Sequence, residues 1–501
     1  MTIEAKVKNP ILTLYAFHLW ADFDEGYQTK AKNAQAFWYN FAKEVGKELK
    51  SEELQNFPEK LTKTIPKDEN WENLLLLPDG KRKLPLSPIP IAENLMRKGA
   101  FRAEKIQDTY AVELTLSCQE KDTPINPRDL KAFNPNGCLL QSTIKASLGQ
   151  TILLYAEPNI FVDYRTLADA CVAGLVDSKI NPSPKFISQG KLFGSPIFEY
   201  DNRELNPELN CHILVLLKQN PNTLDSFNPE FDISLKNLLF YRRKVLYAYY
   251  RAKVYYGDGQ KQASDLEKQI PKFSDIEKEP ALEKRLTELK DLLANIRKSG
   301  FEYSKSLRFV RECHNTTTTN IENFKNALKE VDPVKLDDDN LEIWYRFSDL
   351  ASNTYLKQIE VDLNYLIAGQ NLFQEMIANI RGMLEIEQIE TDRKSSEKDT
   401  ISSRNLNITI AVVGGGMAAA GIVATSYGLI KPEQPLLMPW DKNAGSLHPF
   451  TQSVFWSLLI GLIPVLLWAL IWFFVLRKHK VVGAGSPKSD RKNDESTKPA
   501  P

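Results

Sequence analysis

Apolar and polar positions divide the chain into regimes of different period. Up to about residue 235, short apolar runs alternate with proline-rich breaks: ILTLYAF (11–17), YAVELTLS (110–117), TILLYAE (151–157) and HILVLLK (212–218). Runs of this length bounded by breakers predict strands. Ala34 to Leu49 and Tyr164 to Val176 carry helical spacing instead, so residues 1–235 are expected to fold as a mixed α+β domain around a central sheet. LPLSPIPI (84–91) reads as a loop or sheet edge, because repeated prolines cannot feed a ladder.

After residue 235 strand signals vanish. Leu282, Leu286, Leu289, Leu293 and Ile296 open a 4-3 seam that continues through Tyr303, Leu307, Val310 and Ile321 to Leu328 and Val331. Such spacing predicts a long helical hairpin over 236–334. A second seam, from Ile359, Leu363 and Leu366 through Gln370, Phe373, Ile377 and Ile380 to Leu384, predicts a stalk helix over 335–404. KLDDDN (335–340) supplies an N-cap and carboxylates for the start of that helix.

The last regime is apolar. No side chain charged at neutral pH stands between Arg404 and Lys431, and residues 405–430 are long enough to cross a hydrocarbon core. A second charge-free run, 451–476, ends at Arg477, Lys478, His479 and Lys480, and the two predict a transmembrane hairpin with an extracytoplasmic loop over 431–450. Arg393, Lys394, Lys398 and Arg404 precede the first run, whereas the loop has only Lys431 and Lys442. The positive-inside rule then makes both termini cytoplasmic, and the expected location is the inner (plasma) membrane. Gly416, Ala420, Ala424 and Gly428 form a small-residue stripe that suits an inner, pore-lining helix, while Trp456, Trp468, Trp472 and Phe473 make the second helix bulky. VVGGGMAAAG also resembles a dinucleotide fingerprint, but too little chain follows it to build that fold. Residues 481–501 are polar, so 477–501 are expected to form a basic, disordered cytoplasmic tail.

Composition narrows the function. With 64 basic and 64 acidic residues the net charge is zero, so no global field points to DNA. Cys118, Cys138, Cys171, Cys211 and Cys313 are scattered without CxxC spacing, which argues against a disulfide framework or structural zinc.

Sheet domain, helical hairpin, stalk helix, inner span, short loop, bulky outer span and basic end come in the order that resembles the CorA family of divalent-cation channels. Tyr427, Gly428, Leu429 and Ile430 stand where that family ends its inner helix with Tyr-Gly-Met-Asn. The resemblance implies a homopentameric funnel gated by its cytoplasmic domain. Ile430 has no polar atom to present to a hydrated ion, so magnesium transport does not carry over. The expected function is an oligomeric channel or membrane effector, answering a small-molecule or nucleotide signal. The alternative is a non-conducting, membrane-tethered scaffold.

Local chemistry offers fewer candidates. Asp337, Asp338 and Asp339 are a possible divalent-cation site, magnesium for example, against the plainer reading of an exposed helix start. Glu385, Glu387, Glu390 and Asp392 would form an acidic ring in an oligomer, or a solvated face. Arg242, Arg243 and Lys244, interleaved with tyrosines, could grip a phosphorylated ligand, although Leu238, Val245, Tyr249 and Ala252 mark the same helix for packing. No GKS/T loop, HExxH pair or GxSxG elbow occurs, and Cys211–His212 and Cys313–His314 cannot act as dyads because sequence neighbours point apart. No enzymatic activity is expected.

Overall fold

A computed structural model of the chain describes residues 5–20, 34–59, 74–77, 82–93, 95–160, 163–176 and 182–395. The chain divides into two units, Met1–Glu385 and Ile386–Pro501. The transmembrane hairpin and the basic tail expected over 405–501 lie outside the described residues. Among the described residues, no helix is long and apolar enough to cross a membrane.

Among the described residues, the first unit is built on a nine-stranded mixed sheet. Its strands are β1 (Val7–Leu19), β2 (Leu74–Leu75), β3 (Leu84–Ala92), β4 (Leu95–Ile106), β5 (Thr109–Cys118), β6 (Gly149–Pro158), β7 (Lys185–Leu192), β8 (Ser195–Asp201) and β9 (His212–Leu217). The order is β2-β4-β5-β1-β6-β9-β8-β7, with β3 also on β4, and among these described strands only β6 and β9 pair in parallel. The expected runs at 11–17, 110–117, 151–157 and 212–218 are the four central strands. The proline-rich run is β3, which pairs on one side only and shifts register twice.

Both faces of the sheet are covered. On one, β1 contributes Leu12, Leu14 and Ala16 to a core shared with α1 (Ala34–Phe41) and α2 (Tyr164–Leu175). On the other, the alternate residues Tyr15, Phe17 and Leu19 meet α3 (Pro229–Glu267), the end of α4 (Leu282–Val331) and α5 (Glu342–Leu350). A strand alternates its side chains, so β1 serves both cores at once.

Beyond the sheet, α3 and α4 pack with α6 (Lys357–Ser395) as long helices suited to coiled-coil packing. Tyr255 stacks on Phe309 with centroids 4.6 Å apart, Tyr303 donates to the Leu366 carbonyl at 2.8 Å, and Lys253 pairs with Asp362 at 2.8 Å. The predicted seams supply many of the buried positions, Leu289, Ile296, Leu307, Val310 and Ile321 on α4 and Ile359, Leu366, Phe373, Ile377 and Ile380 on α6, whereas Leu286, Leu293 and Leu363 are half-buried and Leu292, Phe309 and Cys313, off the seam, are buried as well. Gly259 and Gly369 allow the close approach, since a Cβ at Gly369 would run into the Tyr303 hydroxyl.

The helical run beginning at Glu342 serves both bodies of packing through a π turn, Ala351–Leu356. In a regular α-helix, Ala351 and Ile359 would stand about 80° out of phase. The extra residue of a π turn brings them back to within about 20°, so the stripe that faces the sheet continues as the stripe that faces α3 and α4. Tyr355, within the turn, stacks on Tyr249 with centroids 4.4 Å apart.

Candidate functional site

The residues singled out for phosphate chemistry meet at a buried joint between α3 and the sheet. Helix α3 starts cleanly: the Asn228 side chain accepts from Phe231 N–H at 2.8 Å, Pro229 follows, and Glu230 and Asp232 lie in the first turn. Its turns then place Lys236, Arg242, Arg243 and Lys244 against the strands, all buried. Strand register gathers their partners. Thr151 on β6 stands beside His212 on β9, which stands beside Asp201 on β8, with Glu199 on the same face of β8.

Arg242 donates to Asp201 at 3.1 Å and to Glu199 at 3.5 Å. Arg243 donates to Asn210 Oδ1 at 2.6 Å, to Thr151 Oγ1 at 3.3 Å and to the Gln150 carbonyl. Gly149, at φ +93°, leaves the space, since a Cβ there would lie 3.0 Å from the Arg243 guanidinium. His212 bridges Thr151 Oγ1 (2.9 Å) and Glu199 Oε1 (3.2 Å), and Ser188 donates to the other Glu199 oxygen at 2.6 Å. Farther along α3, Lys236 pairs with Glu104 and Lys244 with Asp108.

Burial and the neighbouring charges fix the protonation states. Burial, then the positive field of Arg242, pushes the His212 imidazole down to about 4 against the pull of Glu199. Burial alone would raise Glu199, but His212, Arg242 and Ser188 override it and hold the carboxyl down at about 2. Asp201 is likewise pushed up by burial and held below its usual range by Arg242, His212 and Arg243. Burial, reinforced by Arg242, brings the Arg243 guanidinium down to about 9. At neutral pH two cations therefore face two anions across a neutral histidine, which accepts from Thr151 and donates to Glu199.

This hydroxyl–imidazole–carboxylate chain has the connectivity of a nucleophile triad, but Thr151 has no exposed surface. A nucleophile must touch its substrate, so the chain of hydrogen bonds serves charge balance here. Buried ion pairs add little net stability, yet removing one partner costs about 3–5 kcal/mol, which makes them good at fixing register. The joint ties α3 to β6 and β8 through Thr151, Glu199 and Asp201. Arg242, Arg243 and Lys244 hold internal partners and are enclosed between helix and strands.

The other candidates lie apart. Asp337 is exposed, Asp338 pairs with Lys191, and Asp339 accepts from the amides of Phe193 and Gly194 at 2.7 Å each, so the three carboxylates do not converge. Helix α5 starts at Glu342, and its first amide is taken by Asn340 Oδ1 at 2.9 Å rather than by an aspartate. Glu385 and Glu390 are exposed and Glu387 is buried, while the Asp392 side chain lies outside the description. Gly416, Ala420, Ala424 and Tyr427, Gly428, Leu429, Ile430 also lie outside the described residues. Among the described residues, no group of three or more His, Cys, Asp or Glu side chains could hold a metal ion.

The Thr151–His212–Glu199 chain and the Asp339 contacts escaped sequence reasoning. Their members are far apart in the chain, and the only advance signal was a histidine opening an otherwise apolar strand. No protein family, curated protein or solved structure matches this chain.

Proposed function

We propose that the chain is a membrane-anchored homo-oligomeric effector, conducting ions or opening the bilayer under control of its α/β domain. The observation that carries this reading is the helical run from Glu342 to Ser395. Its start is seated under the sheet by Leu341, Ile343, Trp344 and Phe347, and its end precedes the charge-free run at 405–430 in the sequence. A displacement of the sheet domain would thus be passed along a helix toward the apolar segment. Val361, Tyr365 and Leu372 recur on an exposed side of α6 at helical spacing, which fits a seam between copies. The pentameric form, the cytoplasmic placement of both termini and the small-molecule or nucleotide trigger remain parts of this proposal. The joint at Arg242 and Arg243 makes a register-fixing element, so the ligand would act elsewhere on the domain.

The test is membrane partition and mass of the full-length protein. The reading expects extraction from membranes by detergent only, as a complex of several chains. Release by salt or carbonate would contradict the anchor, and a monomeric mass would favour a simple tether.

A further inference from the structure

The turn between β7 and β8 is a two-residue hairpin loop with φ of +52° at Phe193 and +72° at Gly194. Both positions of such a turn need positive φ, which glycine adopts freely and phenylalanine rarely does. The Phe193 ring is fully buried, edge-on to Phe231 at 4.7 Å and to Phe227 at 5.5 Å. Its backbone is held from outside by one carboxylate: Asp339 accepts the Phe193 amide on one oxygen and the Gly194 amide on the other, at 2.7 Å each. Adjacent amides of this kind make a small anion-binding concavity. The chain fills it with its own aspartate.

The same few residues tie the approach to α5 onto the hairpin. Lys191 N–H donates to the Asn340 carbonyl at 2.8 Å and Asn340 N–H donates back at 3.0 Å, a single antiparallel bridge on the edge strand of the sheet. Gly190 permits it, because a Cβ there would collide with the Asn340 carbonyl. Asp338 adds an ion pair to Lys191, and Arg346 donates to the Ile187 carbonyl at 2.8 Å. Asp339 also accepts from Leu336 N–H at 3.0 Å, closing its own loop.

We propose that Asp339 is a latch, an internal anion bound by the β7–β8 turn that fastens the base of the long helix to the edge hairpin of the sheet. While it is closed, hairpin and helix base move together. When it opens, the segment 335–341 parts from the turn. Its regulatory meaning rests on the membrane-effector reading, whereas the latch itself does not.

Hydrogen exchange on the full-length protein in detergent tests it, comparing Asp339→Ala and Asp339→Gly with the unaltered chain. Each turn amide loses a charge-assisted hydrogen bond, so exchange at Phe193 and Gly194 is expected to rise at least about tenfold, with residues 335–341 following and the central strands β1 and β6 unchanged. Formate, supplied as a free anion, is expected to slow exchange at those two amides in Asp339→Gly. Unchanged exchange at the turn overturns the latch, and so does an equal rise across the whole sheet, which would mark a general loss of stability. If either variant fails to fold, Gly190→Ala offers a second approach: displacing Asn340 should speed exchange over 335–341, and no change there overturns the proposal. Faster exchange in a protein that never associates with membranes would leave the latch standing and sink the effector reading.

Discussion

Replacing His212 by Gln should flatten the acid sensitivity of the domain. Glutamine can still accept from Thr151 and donate to Glu199, but it has no proton to gain. In the fold, His212 is lowered from an ordinary 6.5 to about 4 by burial and by Arg242. The folded state therefore binds fewer protons than the unfolded chain between those values. The stability this contributes is complete above the unfolded value and is lost as pH falls toward the folded one. The whole window amounts to roughly 3 kcal/mol, of which about 2 kcal/mol falls between about pH 7 and about pH 5. Glu199 titrates lower, its contribution fading from 4.5 down to about 2, so it does not confound that interval. Urea unfolding of the full-length protein in detergent, followed by tryptophan emission, reads the difference, because Trp20, Trp38 and Trp344 are buried in the domain. The unaltered protein should lose about 2 kcal/mol more than His212→Gln over this interval. Parallel losses in the two proteins would mean that protonation of His212 does not set this pH dependence.

Asp201→Asn leaves Arg242 facing Glu199 alone at 3.5 Å and should destabilise by about 3 kcal/mol in the same assay, with Arg242→Met in the same chain recovering part of the loss. Gly369→Ala drives a Cβ into the Tyr303 hydroxyl and should lower stability by about 1–3 kcal/mol, seen as an earlier thermal transition. Gly382→Ala on the same helix meets nothing within 4 Å and should be neutral or stabilising by up to about 1 kcal/mol.

The parts legible in the sequence are those whose signal is local. The runs in β1, β5, β6 and β9 are apolar because these strands are covered on both faces, and the seams of α4 and α6 keep their period because each is packed along most of its length, α4 against helices and, at its end, against the sheet face. Strand β4 was hidden because LMRKGAFRAEKI looks like a polar surface segment, yet Arg97, Glu104 and Lys105 in it are buried. Arg97 reaches the Leu49 carbonyl at 2.6 Å and Glu104 is met by Lys236, partners that no local window contains. Arg242 and Arg243 stood out by composition, but the direction they face depends on strand register set by other residues. The aspartate run was legible as carboxylates near a helix start. Its anchoring to a turn far back in the chain was not, because that contact needs the edge position of β7 and the positive φ of Phe193.

Ion flux through liposomes carrying the purified full-length protein tests the proposed pore, with Gly416→Leu, Ala420→Leu as the paired control. Flux is expected from the unaltered oligomer and its loss in the double variant, since bulky side chains would fill the small-residue stripe. Equal flux from both proteins, or none from a folded oligomer across a screen of divalent cations and nucleotides, would contradict it.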